Sequence, residues 1–152
     1  MKKLLVIGLI SSFFSAGAFA AACTATPASA PGGAKSTGAA TGGTANTEEC
    51  VCDGGLAVTS EVNGGKSAQM ATAPIFLQSG FDVKCSANTI VSYNEVSPTA
   101  FAVASGSVKG NRTFKGSTAG GAIAEFESCD SPGCTGAKVS DANASATLDS
   151  SS

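Results

Sequence analysis

The sequence predicts a mainly β protein, with a small disulfide-stapled β-sandwich or barrel-like domain. Three observations predict this class. The central region alternates large apolar residues with small or polar ones, which is typical of half-buried strands. Turn-forming pairs such as Gly54-Gly55, Ser79-Gly80 and Gly110-Asn111 interrupt these stretches at short intervals. The chain also carries six cysteines, which suit a domain whose apolar core is small.

Residues 1–20 have the organisation of a secretory signal peptide. Lys2 and Lys3 form a basic start, Leu4 to Phe14 form an apolar stretch, and Ala18-Phe19-Ala20 fits a cleavage site. The apolar stretch is shorter than the roughly 20 residues that a transmembrane helix needs. We therefore expect bacterial-type export to the periplasm, the cell surface or the medium, with no membrane span after cleavage. An uncleaved N-terminal anchor is the alternative.

Composition divides the remaining chain into three parts. Residues 21–47 form a low-complexity linker of Ala, Thr, Gly, Ser and Pro, which lacks the large apolar side chains that order a backbone. The linker is either a bare tether or an O-glycosylated one. Residues 48–134 form the expected β domain. Residues 135–152 are again mostly small and polar, so we expect a disordered tail there.

The alternation of apolar and small residues, together with the turn-forming pairs, predicts where the strands lie within the central region. In 99–108, Phe101 and Val103 alternate with alanines, so the large side chains should share one face. Gly110-Asn111 then suits a hairpin turn. A short helix is an alternative in 66–73. The predicted strands lie in 55–62, 73–85, 88–96, 99–108, 112–116 and 120–129.

The cysteines are the predicted site residues, and their even number in an exported chain predicts three disulfides. Zinc is the competing interpretation of Cys50-x-Cys52. The chain has no histidine, and the cysteine spacing is unlike that of a compact zinc motif, so we expect no metal site. The six residues are Cys23, Cys50, Cys52, Cys85, Cys129 and Cys134.

Local sequence favours one pairing. Pro132-Gly133 favours a tight turn, which can bring Cys129 and Cys134 within bonding distance. Cys50 and Cys52 would lie on the same side of an extended strand, so each should bond a separate partner. These partners are Cys23 and Cys85, in an order that the sequence leaves open.

Cys23 has a second interpretation as a lipidated anchor, because it follows the signal peptide and precedes a small-residue tether. The residues before it, Ala20-Ala21-Ala22, lack the Leu that such signals usually carry three positions ahead of the cysteine. Lipidation would also leave an odd number of thiols. A disulfide is therefore the favoured state of Cys23.

The residue types of common active sites are scarce. Without histidine, the carboxylate pairs Glu48-Glu49 and Glu125/Glu127 are the candidates for acid–base chemistry, and such pairs usually form a solvated face. The chain has no Trp and one Tyr, which argues against a glycoside hydrolase. We expect no enzyme and no cofactor, with a carboxylate hydrolase as a third-ranked alternative.

The charge pattern also limits the partners. The net charge is −2 for the whole chain and −4 once Lys2 and Lys3 are removed, with no Lys/Arg cluster, so nucleic acid is not expected. We expect a secreted or cell-surface structural protein that self-associates or binds a protein partner through strand edges, such as the weakly charged stretch 99–108. The alternative is a secreted binding module or inhibitor that presents the 129–134 disulfide loop.

Overall fold

A computed structural model of the chain describes residues 22–25, 46–63, 75–120 and 122–150. The predicted signal peptide, most of the predicted linker and the candidate helical stretch 66–73 lie outside the described residues. The strands and the helix are, in chain order, β1 (Glu48–Asp53), β2 (Val58–Val62), β3 (Phe81–Cys85), β4 (Thr89–Ser97), β5 (Ala100–Ser107), β6 (Arg112–Ser117), β7 (Ala124–Ser128) and α1 (Gly136–Ser150).

The strands form two antiparallel sheets, which confirms the predicted mainly β class. The larger sheet has five strands in the order β1-β4-β5-β6-β7, and β2 and β3 pair with each other in a smaller sheet. Short turns join β4 to β5 and β5 to β6, and the second of these is the predicted hairpin around Gly110-Asn111. Among the described strands, β1 and β7 are the edges of the larger sheet, which does not close into a barrel.

The two faces of the larger sheet carry different side chains because successive residues of a strand point to opposite sides. On β5, Ala100, Ala102 and Ala104 are buried on the face that α1 covers. Phe101 and Val103 point to the opposite face and are half-buried. The alternation that the sequence shows in 99–108 therefore separates a small-residue face from a large-residue face.

The expected disordered tail is not found for residues 136–150, which form helix α1 on the small-residue face. Thr135 caps the helix by accepting a hydrogen bond from the Lys138 amide at 3.3 Å. Val139, Ala142 and Ala146 are fully buried against the sheet. Because the facing residues of β5 are alanines, helix and sheet approach closely, and the small side chains of this segment suffice to order it.

The smaller sheet packs over the β1–β4 side of the opposite face and forms a second apolar core. Phe76 precedes β3 and stacks on Phe101 with ring centroids 5.1 Å apart, which extends this cover towards β5. The buried members of this core are Val51, Cys52, Val62, Cys85 and Tyr93.

A β-bulge in β1 corrects the expectation that Cys50 and Cys52 lie on the same side of the strand. The pairing of β1 with β4 shifts between these residues, so that Cys50 pairs with Ser92 and Cys52 with Val91. Cys50 consequently lies in the core under α1, and Cys52 lies in the core under the smaller sheet. One strand thus supplies a cysteine to each core.

The three disulfides use all six cysteines. They join Cys23 to Cys50, Cys52 to Cys85, and Cys129 to Cys134, which includes the pairing that the Pro132-Gly133 turn favours. The bond to Cys50 occupies the Cys23 sulfur that lipidation would need.

The N-terminal segment 22–25 is fixed against the start of α1. The Gly136 amide donates to the Ala25 carbonyl at 2.7 Å, and the Asp53 carboxylate accepts hydrogen bonds from Thr24 and Ala25. A Cβ on Gly136 would lie 2.1 Å from the Cys23 carbonyl oxygen, so only glycine fits there.

Candidate functional site: an open strand edge beside an apolar face

Strand β7 forms an open edge of the larger sheet. It pairs with β6 through Phe114–Glu125 and Lys115–Ala124, and no described strand lies on its other side. The outward amides and carbonyls of such a strand form a template for a further strand. The stretch that sequence analysis proposed as the open edge, 99–108, is instead β5, which is paired on both sides with β4 and β6. Its alanines allow it to lie in the middle of the sheet under α1.

The charged side chains of β7 form ion pairs with basic residues of the same chain. Glu125 forms an ion pair with Arg112 on the neighbouring strand. Glu127 pairs with Lys138 of α1 at 2.9 Å, and this hydrogen bond and charge raise the pKa of the Lys138 ammonium. Charged side chains commonly protect an edge from pairing. Here the charges are offset by ion pairs, so they repel an approaching strand less strongly.

An exposed apolar face adjoins this edge. Ile123, just before β7, is 74% exposed, and Phe114 on β6 is 41% exposed. A shallow cavity of about 210 Å³ lies beside Ile123, which lines it together with residues that include Val103 and Gly116. These residues lie on the large-residue face, beyond the part that the smaller sheet covers. Exposed apolar side chains that adjoin an unpaired strand are typical of protein contact surfaces.

The Cys129–Cys134 loop follows β7 directly and is anchored to the β5–β6 hairpin. Cys134 is fully buried, and its amide donates to the Ser107 carbonyl at 3.0 Å. A Cβ on Gly133 would lie 1.9 Å from the Val108 carbonyl oxygen, so the loop contacts the β5–β6 hairpin directly. Residues 130–132 are exposed at its tip. The loop therefore presents a short rigid segment to solvent.

The structure separates the carboxylates of the candidate acid–base pairs. Glu48 accepts a hydrogen bond from Ser140 of α1, whereas Glu49 is buried on the opposite face of the sheet beside Tyr93. Glu125 and Glu127 each form their own ion pair with a different cation. Neither pair places two carboxylates across a common cleft, which is the geometry that glycoside hydrolysis needs.

A buried polar network that sequence analysis did not identify lies between the larger sheet and the residues before β3. The Tyr93 hydroxyl donates to Glu49 Oε2 at 2.5 Å. Asn63 donates to Glu95 Oε1 at 3.3 Å, and Glu95 Oε2 accepts the amides of Phe76 and Leu77 at 2.8 Å each. Glu95 therefore holds the segment that carries the Phe76 ring.

Burial sets the protonation behaviour of this network. Desolvation raises the pKa of Glu49, and the nearby Glu95 carboxylate adds to this rise, while the hydrogen bond from Tyr93 opposes it. Desolvation and the hydrogen bond to Glu49 also raise the pKa of the Tyr93 phenol. The sequence contains a signal for this network, because Glu95 follows Val91 and Tyr93 at a spacing of two and so falls on an apolar face.

The sulfurs of Cys23 and Cys50 and a carboxylate oxygen of Asp53 lie within 4.8 Å of one another, which is a spacing that could hold a metal ion. Both sulfurs are bonded in a disulfide, and thiolates are the form that binds metals. The Asp53 carboxylate accepts the hydrogen bonds of residues 24 and 25. This cluster is accordingly a structural joint between β1 and the N-terminal segment.

Comparison of the chain with protein-family models, with curated proteins and with solved structures found no match. Among the described residues, no helix has the length and apolarity that crossing a membrane requires.

Proposed function

We propose that this is a secreted or cell-surface non-enzymatic structural protein, whose copies associate through their β7 edges. The open β7 edge beside exposed Ile123 and Phe114 carries this proposal. The three disulfides are compatible with an oxidising compartment outside the cytoplasm.

A second copy fits this surface because antiparallel strands can pair about a two-fold axis, with the same patch on both partners. Pairing of β7 with β7 would continue the larger sheet across the interface and satisfy the outward backbone groups of both strands. The exposed Ile123 and Phe114 of each copy would be near the joint. Glu125 and Glu127 of the two copies would approach one another, and their own cations, Arg112 and Lys138, would reduce the repulsion.

The test is sedimentation velocity of the native, oxidised protein over a wide concentration range. We expect reversible dimers, and we expect Ile123→Lys to weaken association by at least about tenfold, because it places a charge in an apolar contact. Leu148→Lys is the matched control, since Leu148 is 69% exposed but lies on α1. A wild type that stays monomeric at every concentration would refute self-association, and equal effects of both variants would refute the β7 edge as its site.

The second candidate function is a secreted binding module or inhibitor that presents the 129–134 loop. The anchored disulfide and the exposed loop tip support it, because a rigid loop loses little entropy when it binds. A monomeric wild type that captures a partner from native medium, together with loss of capture when residues 130–132 are replaced by Gly, would favour this function over self-association.

A further inference from the structure

A second shallow cavity, about 330 Å³ in volume and open to solvent, lies on the opposite face of the sheet, between β1, β4 and α1. Its lining includes Glu48, Asn94, Asn143, Thr147 and Leu148. Since one water takes up about 30 Å³ of liquid, the cavity has room for a small organic group. The cavity is separate from the β7 surface, so binding of a ligand here is independent of the proposed association.

Two acceptor oxygens among these residues have no partner within the part of the chain that the structure describes. Glu48 Oε1 and Asn94 Oδ1 are buried, and neither accepts a hydrogen bond from any described group. Glu48 and Asn94 are direct cross-strand neighbours in the β1–β4 pairing. Asn94 as a whole is 6% exposed. A buried acceptor without a donor destabilises the folded protein, so the pair favours a ligand that brings donors.

The donors around these oxygens are already engaged. The Asn94 amide group donates to Thr147 at 3.3 Å, and the Asn143 amide group donates to Ser92 at 3.2 Å. The Thr147 hydroxyl donates to the Asn143 carbonyl, and the Ser140 hydroxyl donates to the other Glu48 oxygen. The described residues that line the cavity include no Lys or Arg. The unpaired groups here are acceptors, and one belongs to a carboxylate.

We propose that this cavity binds a primary ammonium group carried on a short aliphatic chain. An ammonium group has three donors and no acceptor, which complements a carboxylate oxygen and an amide oxygen. The exposed Leu148 side chain offers apolar surface for the aliphatic part. Because both oxygens are shielded from solvent, the side chains of Glu48 and Asn94 both have to rotate toward the cavity when the ligand binds.

The test is a titration of the ¹⁵N-labelled, oxidised protein with n-butylammonium, followed by two-dimensional NMR. We expect saturable shifts at Glu48, Asn94 and Asn143. Glu48→Gln should weaken binding at least about tenfold, because a charge-assisted hydrogen bond is lost. Asp130→Asn, an exposed change of the same kind, should leave the affinity unchanged. Leu148→Ala should weaken binding of butylammonium but not of methylammonium, and it keeps the test open if Glu48→Gln does not fold.

Two further probes distinguish the outcomes. Nα-acetyl-lysine amide binding more tightly than butylammonium would identify a lysine side chain of a partner as the source, and equal binding would identify a free amine. Tetramethylammonium carries the same charge without donors, so equal shifts with it would refute the site. Binding of Ca²⁺ but not of butylammonium would refute it as well. An absence of butylammonium binding would also refute the site. An Asn94 side-chain amide that donates a hydrogen bond to Glu48 would then account for the two oxygens.

Discussion

At the scale of single residues, the polar groups of this protein are divided between two faces by strand alternation. The neighbours Glu48 and Glu49 illustrate this division, because one contacts α1 and the other is buried beside Tyr93. Their adjacency in the sequence makes them a candidate acid–base pair, but adjacent residues of a strand point in opposite directions. Their chemistry is thus set by their faces rather than by their proximity in the chain.

The buried Glu49 should make stability depend on pH. In the unfolded chain it ionises near the ordinary glutamate pKa of about 4.3, whereas its pKa in the folded protein is raised. Between these two values the folded protein binds more protons than the unfolded chain, so Glu49 lowers the free energy of unfolding as the pH rises. Glu49→Gln keeps an oxygen for the Tyr93 hydroxyl and carries no charge.

We therefore expect Glu49→Gln to gain stability relative to wild type as the pH rises from about 4 to about 7. Urea unfolding at several pH values measures this difference. Asp130→Asn, which replaces an exposed carboxylate, is the control and should not reproduce the trend. If the difference in free energy of unfolding between Glu49→Gln and wild type were constant across this range, it would contradict the conclusion that burial raises the pKa of Glu49.

At the scale of elements, the strands were largely predictable and the helix was not. Large apolar residues at a spacing of two, together with Gly-containing breakers, located β2 to β7. The buried positions of α1, at Val139, Ala142, Asn143 and Ala146, follow a helical spacing, but alanine and asparagine are not recognised in a search for large apolar side chains. The Thr135 cap and this spacing are the signals that could have revealed it. Strand β1 was also missed, because its bulge disrupts regular alternation.

The packing of α1 gives a prediction for this element. Val139 is fully buried between the helix and β5, so Val139→Ala should lower the free energy of unfolding by about 2 kcal/mol through lost burial and a small cavity. Leu148→Ala removes more apolar volume from the same helix at a position that is 69% exposed, and its effect should be within about 0.5 kcal/mol. Chemical denaturation of the two variants measures both. Equal losses would show that α1 is not held by its buried face.

At the scale of the whole molecule, the Cys52–Cys85 disulfide connects the larger sheet to the smaller one, and the Cys23–Cys50 disulfide connects the N-terminal segment to β1. Because of the bulge between Cys50 and Cys52, the two residues form their disulfides in different cores. A regular strand would place both residues on one side, so this arrangement could not be predicted from their spacing. The proposed self-association through β7 belongs to the same scale. The sequence predicted an open edge at 99–108, which is instead a central strand. The order of strands in a sheet depends on contacts between distant residues, so residue spacing could not predict which strand is at the edge.

The disulfides should differ in their contributions to stability. Cys52 and Cys85 are separated by 33 positions, and Cys129 and Cys134 by 5. Loop-closure entropy predicts a loss of about 4 kcal/mol for Cys52→Ala with Cys85→Ala, and about 2 kcal/mol for Cys129→Ala with Cys134→Ala. Guanidinium unfolding of the two double variants gives the comparison. A larger loss from the 129–134 pair would show that anchoring of its loop, rather than chain entropy, dominates.

The contact between Ala25 and Gly136 has a consequence for biogenesis. These residues are hydrogen-bonded to each other, yet all seven strands lie between them in the sequence. During synthesis, the segment around Ala25 emerges before the strands, and Gly136 emerges after them. The sheet can begin to pair as it emerges, but the joint around Gly136 can close only after the start of α1 has followed, so this joint is among the last parts of the domain to form.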